Sequence, residues 1–151
     1  MRQTKVFLAD GTSWFLIGAM ASLSQLPQVE IAGHAMSGAE AIKMAEELSP
    51  DVLVLDADIL GRVDWEALRR LRERPAPPRV VITAQEVSEK SRAYARALGA
   101  DVCMSKRELG GKLFTLVGGI PTQPAEAVPP QSCPPRTPEG RASPLIWYSA
   151  A

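Results

Sequence analysis

The chain has 151 residues, 46% of them hydrophobic and 23% charged, the balance of one soluble globular domain. Lys and Arg number 17, as do Asp and Glu, with 15 of each sign inside residues 1–120, so no basic surplus exists for nucleic acid or an acidic membrane. Two cysteines (Cys103 and Cys133) and a single histidine (His34) exclude a disulfide scaffold, a zinc site and a His-rich metal centre, and a reducing, cytoplasmic setting is expected.

Residues 5–9, KVFLA, predict a first strand, and Thr12 or Ser13 caps a helix to about Leu26. Arg2 and Lys5 ahead of the apolar stretch from Trp14 to Ala21 imitate a signal peptide, but Asp10 interrupts that pattern, and strand then helix is the better reading. The stretch is also only about half of the roughly 20 residues a membrane span needs. VEIAG (29–33) is a strand, His34 falls in the loop after it, and Ser37 opens a helix through Leu48. DVLVLD (51–56) is a nearly unbroken apolar strand, as expected when both faces are covered. Asp64 caps a helix to about Arg74, and RVVIT (79–83) is the fourth strand. A helix from Val87 to Leu98 ends at Gly99, DVCMS (101–105) is the fifth strand, and Glu108 to Val117 is the last helix. Five β-α units of this length predict a doubly wound parallel α/β sheet flanked by five helices.

Composition changes at Pro121. Eight of the 13 prolines fall in residues 121–151, which are expected to form a Pro-rich disordered tail after a domain at 1–120. Near its end, Leu145, Ile146, Trp147 and Tyr148 form an apolar cluster, read as a sticky terminus before a docking motif.

In doubly wound sheets, functional residues gather at the carboxyl ends of strands. Here those ends supply Asp10, Asp56, Thr83 and Lys106. Two carboxylates, a hydroxyl and an ammonium on one rim suit a phosphoryl group. Asp56 can attack phosphorus and form an acyl phosphate. Lys106 and Thr83 can hold the phosphoryl oxygens, and Asp10 can help hold a divalent cation. Each residue also has a plain role: Asp10 as a turn cap, Thr83 as a strand threonine, Lys106 as a surface lysine. Cys103 reads as a buried small hydrophobe.

With VFLAD (6–10), SPDVLVLD (49–56), VVITA (80–84), LGAD (98–101) and MSK (104–106), the chain resembles a bacterial response-regulator receiver domain over residues 3 to about 120. The order and spacing are most similar to receivers that precede a DNA-binding helix-turn-helix. The resemblance implies a flavodoxin-like five-stranded sheet in the order 2-1-3-4-5. It implies phosphoryl transfer from a histidine kinase or phosphotransfer protein, with magnesium. Asp56 is then the phosphoacceptor, Thr83 the switch hydroxyl and Lys106 the phosphoryl-binding lysine. Asp10, Asp56 and Asp58 are the implied metal residues, Asp58 through its backbone carbonyl. The domain is then a signalling module and not an enzyme beyond its own phosphorylation and dephosphorylation. A homodimer through the last two helices is open. Arg136-Thr137-Pro138-Glu139 faintly resembles the opening of a helix-turn-helix domain, but the sequence stops short of four more helices, so direct DNA binding is not expected.

Three positions depart from the receiver pattern. The second acid after strand one is Gly11, the usual Pro after the acceptor is Leu60, and the aromatic of strand five is Cys103. Loss of a carboxylate weakens magnesium binding; the Asp58 side chain is a candidate replacement. These departures keep a second reading open, a phosphorylation-independent interaction module. A remote third is a haloacid-dehalogenase-type phosphatase, on Asp56-Ala57-Asp58 alone. The first helix carries apolar residues around more than one face, and Leu16, Ile17 and Met20 are the expected partner-binding patch.

Overall fold

The alternation of side chains along each strand decides how the layers stack. In the computed structural model, which describes residues 2–109 and 112, five parallel strands form one sheet. They are β1 (Thr4–Ala9), β2 (Val29–Ala35), β3 (Val52–Asp56), β4 (Arg79–Ala84) and β5 (Val102–Ser105), in the spatial order β2-β1-β3-β4-β5. This is the flavodoxin-like order.

Helices α1 (Ser13–Leu23), α2 (Gly38–Leu48), α3 (Arg62–Arg72) and α4 (Glu89–Ala97) connect the strands. On one face Phe7, Leu53, Leu55, Val80 and Ile82 pack against Ile42 of α2, Trp65 and Leu68 of α3 and Ala95 of α4. On the other, Val6, Leu8, Val52, Val54 and Val81 pack against Leu16 and Leu23 of α1 and against Leu109. The two-residue period of a strand thus feeds two cores from one sheet. Both faces of β3 are covered, which is why all five of its residues are buried. No helix among the described residues is long and apolar enough to cross a membrane.

Several boundaries differ from expectation. α1 ends at Leu23, and α4 starts at Glu89 because Ser88 and Ser91 close a reciprocal capping box there. Gly61, not Asp64, is the N-cap of α3; Asp64 stands three residues on, and its carboxylate accepts the Gly61 N–H at 2.8 Å. His34 lies inside β2, opposite Leu8, and is exposed. The last helix begins at Lys106 rather than Glu108. The Ser105 hydroxyl accepts the Glu108 N–H at 3.1 Å, and the Glu108 carboxylate accepts the Ser105 N–H at 3.0 Å. That box sets the helix start two residues earlier, and residues 106–109 are helical. The expected end of this helix at Val117, and the tail from 121 to 151, lie outside the described residues.

Candidate functional site

Parallel strands in register end on one rim, so the topology collects the residues that follow them. β1 lies beside β3 and β3 beside β4, with Asp56 directly opposite Thr83. Asp10, Asp56 and Thr83 are each at most 2% exposed. Lys106, first in its helix, reaches back over the strand ends. Its Nζ lies 2.8 Å from Asp10 Oδ2 and 3.2 Å from Asp56 Oδ2.

The two aspartates are held alike. Asp10 Oδ1 accepts the Thr12 N–H at 2.8 Å, and Asp56 Oδ1 accepts the Asp58 N–H at 3.0 Å. One oxygen of each carboxylate closes a turn with the backbone two residues on, and the other faces the ammonium. Asp10 therefore combines its plain role at the start of α1 with its place in the site. Its Oδ2 is buried without a directed hydrogen bond, so its contact with Lys106 is electrostatic. The Thr83 hydroxyl donates a long bond, 3.4 Å, to the Leu55 carbonyl.

Burial pushes the Asp56 carboxyl above its ordinary range; the Asp58 N–H opposes that shift, the Asp10 charge adds to it, and Lys106 opposes it. Burial works against the charge on Lys106, but the Asp10 and Asp56 carboxylates outweigh it and raise its pKa. Cys103 is buried, its thiol pushed up to about 12, which suits the role of a small apolar residue.

Two carboxylates converge with an ammonium between them, and no group of three or more acidic, His or Cys side chains is placed to hold a metal among the described residues. Magnesium commonly uses one or two carboxylates, with water and phosphate oxygens completing its shell. Asp10 Oδ2, buried without a hydrogen-bond partner, and the Asp56 carboxylate, which accepts from Lys106 Nζ at 3.2 Å, fit that donor set. The Asp58 side chain is exposed; its tie to the site is the backbone N–H on Asp56. A Cβ placed at Gly11 would stand 3.1 Å from Ile59 Cγ2, so a methyl group crowds the position where a second acid would begin.

The expected patch on α1 needs correction. Leu16 is 3% exposed and belongs to the α1 core, because it faces the sheet. Met20 is partly buried against the same core. Ile17, 65% exposed, and Trp14, 72% exposed, form the apolar surface. The sequence reading also missed Phe15, whose ring lies 5.1 Å from Lys106 Nζ. The surplus of apolar residues on α1 was its only signal. Ser105 and Glu108, which place Lys106, were legible as Ser-x-x-Glu.

A parallel sheet with two buried carboxylates, a lysine and a threonine on its carboxyl rim defines a doubly wound α/β domain with its candidate site at the strand ends. The chain belongs to the response regulator receiver domain family, whose profile matches residues 6–117. It is 30% identical over 96 residues to the nitrate/nitrite response regulator protein NarL of Escherichia coli, covering 64% of this chain and 44% of that protein. It is 32% identical over 138 residues to protein-glutamate methylesterase/protein-glutamine glutaminase 5 of Myxococcus xanthus, covering 85% of this chain and 39% of that protein. The chain thus spans less than half the length of these relatives. The fold matches the receiver domain of a NarL regulator from Mycobacterium tuberculosis, with a TM-score of 0.68 at 23% identity, over 79% of this chain and 99% of that one. It also matches CheY6 of R. sphaeroides, solved in complex with the P1 domain of CheA3, with a TM-score of 0.63 at 21% identity, over 79% of this chain and 100% of that one.

Proposed function

We propose that the domain accepts a phosphoryl group on Asp56 and signals through protein contacts. The single observation that carries this reading is the shared ammonium: Lys106 lies within 3.2 Å of both Asp10 and Asp56. In transfer, Asp56 Oδ2 forms the bond to phosphorus as the donor's P–N bond breaks, and the electron pair leaves on the donor's imidazole nitrogen. Lys106 and the Thr83 hydroxyl then hold the phosphoryl oxygens. Asp10 and Asp56 would hold magnesium, which supplies positive charge for the transferring oxygens. The module is proposed as a phosphoacceptor and not as an enzyme acting on other substrates. The proposed partner class is a histidine-bearing phosphotransfer domain, docking on the exposed Ile17 and Trp14 of α1 next to the pocket.

Intact mass after incubation with acetyl phosphate and magnesium tests this. The parent is expected to gain one phosphoryl adduct and Asp56→Ala none. Ile17→Glu is expected to keep the adduct from acetyl phosphate but to lose transfer from a phosphorylated P1-type domain. A folded parent without any adduct would turn the assignment to a phosphorylation-independent interaction module, the second reading. The methyl of Ile59 against Gly11 is the observation that favours that reading.

A further inference from the structure

Phe15 has no part in the chemistry above, yet its ring is in contact with the one ammonium of the pocket. Nζ of Lys106 lies 5.1 Å from the ring centroid. Phe15 is partly buried, packing against the core that holds Leu8 and Leu16. Its ring also meets the indole of Trp14 edge-on, with centroids 6.3 Å apart and planes 78° apart. Trp14 is largely exposed on α1. A contact series of three side chains, Lys106, Phe15 and Trp14, thus runs from two buried carboxylates to solvent. On β5 the corresponding position is Cys103, a small buried thiol with no ring to move.

We propose that Phe15 is a positioning residue for Lys106 and that, through Trp14, it displays the state of the acid pocket on the surface of α1. The proposal rests on the phosphoacceptor reading for the event that moves Lys106. Attraction between an ammonium and an aromatic ring depends on where the charge stands over the ring face. In the present state that place is fixed by Asp10 Oδ2 and Asp56 Oδ2. A phosphoryl group on Asp56 puts three new acceptor oxygens beyond Oδ2. The ammonium follows them, its place over the ring changes, and the ring's edge contact with the indole changes with it. Lys106 is the two-state element: counter-ion of two carboxylates, or ligand of a phosphoryl group.

The Trp14 indole N–H resonance, assigned by its loss in Trp14→Phe, reads this directly. Lys106→Met is expected to shift it. The shift is expected to vanish when Phe15→Leu is added and to persist with Phe15→Tyr, which keeps the ring face. Magnesium with beryllofluoride, a phosphoryl mimic whose occupancy is followed by fluorine NMR, is expected to move the same resonance in the parent but not in Phe15→Leu. An unmoved Trp14 resonance at full fluorine occupancy overturns the proposal and leaves the phosphoacceptor reading standing. Absence of any bound fluoride species in the folded parent overturns that reading and the phosphoryl-driven display with it. A Trp14 resonance indifferent to Lys106→Met overturns the positioning role of Phe15 in either case.

Discussion

Asp56 carries its charge where the fold resists it. Burial raises its pKa above 3.8 even with Lys106 at 3.2 Å, so the folded state binds a proton more readily than the unfolded chain does. For a carboxyl shifted this way, stability is highest when the group is protonated and falls as pH rises from the unfolded to the folded pKa. At neutral pH the ionised Asp56 therefore costs stability. Asp56→Asn removes that charge without changing shape. In magnesium-free buffer it is expected to melt higher than the parent at neutral pH, with the gain shrinking as pH falls toward 3.8, the ordinary value. Thermal unfolding across pH checks this, and a lower neutral-pH midpoint for the Asn variant would contradict it. The identity of this residue was legible because a lone Asp ends an apolar strand. Its environment was not, because burial and the shared ammonium arise only when β1, β3 and residue 106 meet in space.

At the scale of elements, strands were easier to place than helix ends. Apolar runs marked β1, β3, β4 and β5, next to Asp10, Asp51 and Asp101 in three of them and after Pro77-Pro78 in β4, since a strand buried on both faces leaves few polar positions inside it. Helix ends depend on which polar side chain captures which N–H, and several candidates compete within a few residues. Asp64 is such a case: it suits an N-cap, but Gly61 takes that place and Asp64 binds its N–H. α1 misled in another way. Apolar residues around its whole girth hide which face meets the sheet, and Leu16 turned inward while Ile17 turned out. One junction between elements carries a prediction. A Cβ at Gly38, the first residue of α2, would lie 2.6 Å from both Asp64 Oδ2 and the Ile59 carbonyl oxygen. The backbone of the 57–59 turn cannot withdraw without disturbing the segment that follows Asp56. Gly38→Ala is expected to cost about 1–3 kcal/mol, as an overpacked core position does. Urea unfolding measures it, and an unchanged midpoint would show that the turn yields freely.

Across the whole molecule, four aspartates divide the work between the two poles of the sheet. At the amino pole Asp51 accepts the Lys5 N–H at 2.8 Å and pairs with Arg2 at 2.6 Å. Asp101 accepts the Val80 N–H at 2.7 Å and pairs with Arg72 at 2.8 Å. Each carboxylate there fastens a neighbouring strand and has its own guanidinium. At the carboxyl pole Asp10 and Asp56 share one ammonium. The same side chain thus balances its charge at one end and leaves a net negative charge at the other, which suits the cation of the proposed phosphoacceptor site. Asp101 also shows what the Leu-Gly-Ala-Asp stretch does: Gly99, at φ +112°, turns the chain out of α4 so that Asp101 meets β4. Asp101→Ala removes a charge-assisted bond to a backbone N–H and leaves Arg72 with its 2.7 Å bond to the Pro78 carbonyl, at a cost of about 2 kcal/mol. Asp101→Asn keeps an acceptor for Val80 and is expected to cost less. Because the acid pocket lies at the other pole, both variants are expected to gain the same single adduct from acetyl phosphate wherever they are folded. Urea midpoints and intact mass on the same samples separate the two poles. Loss of the adduct in well-folded Asp101→Asn would show that they are coupled through the sheet.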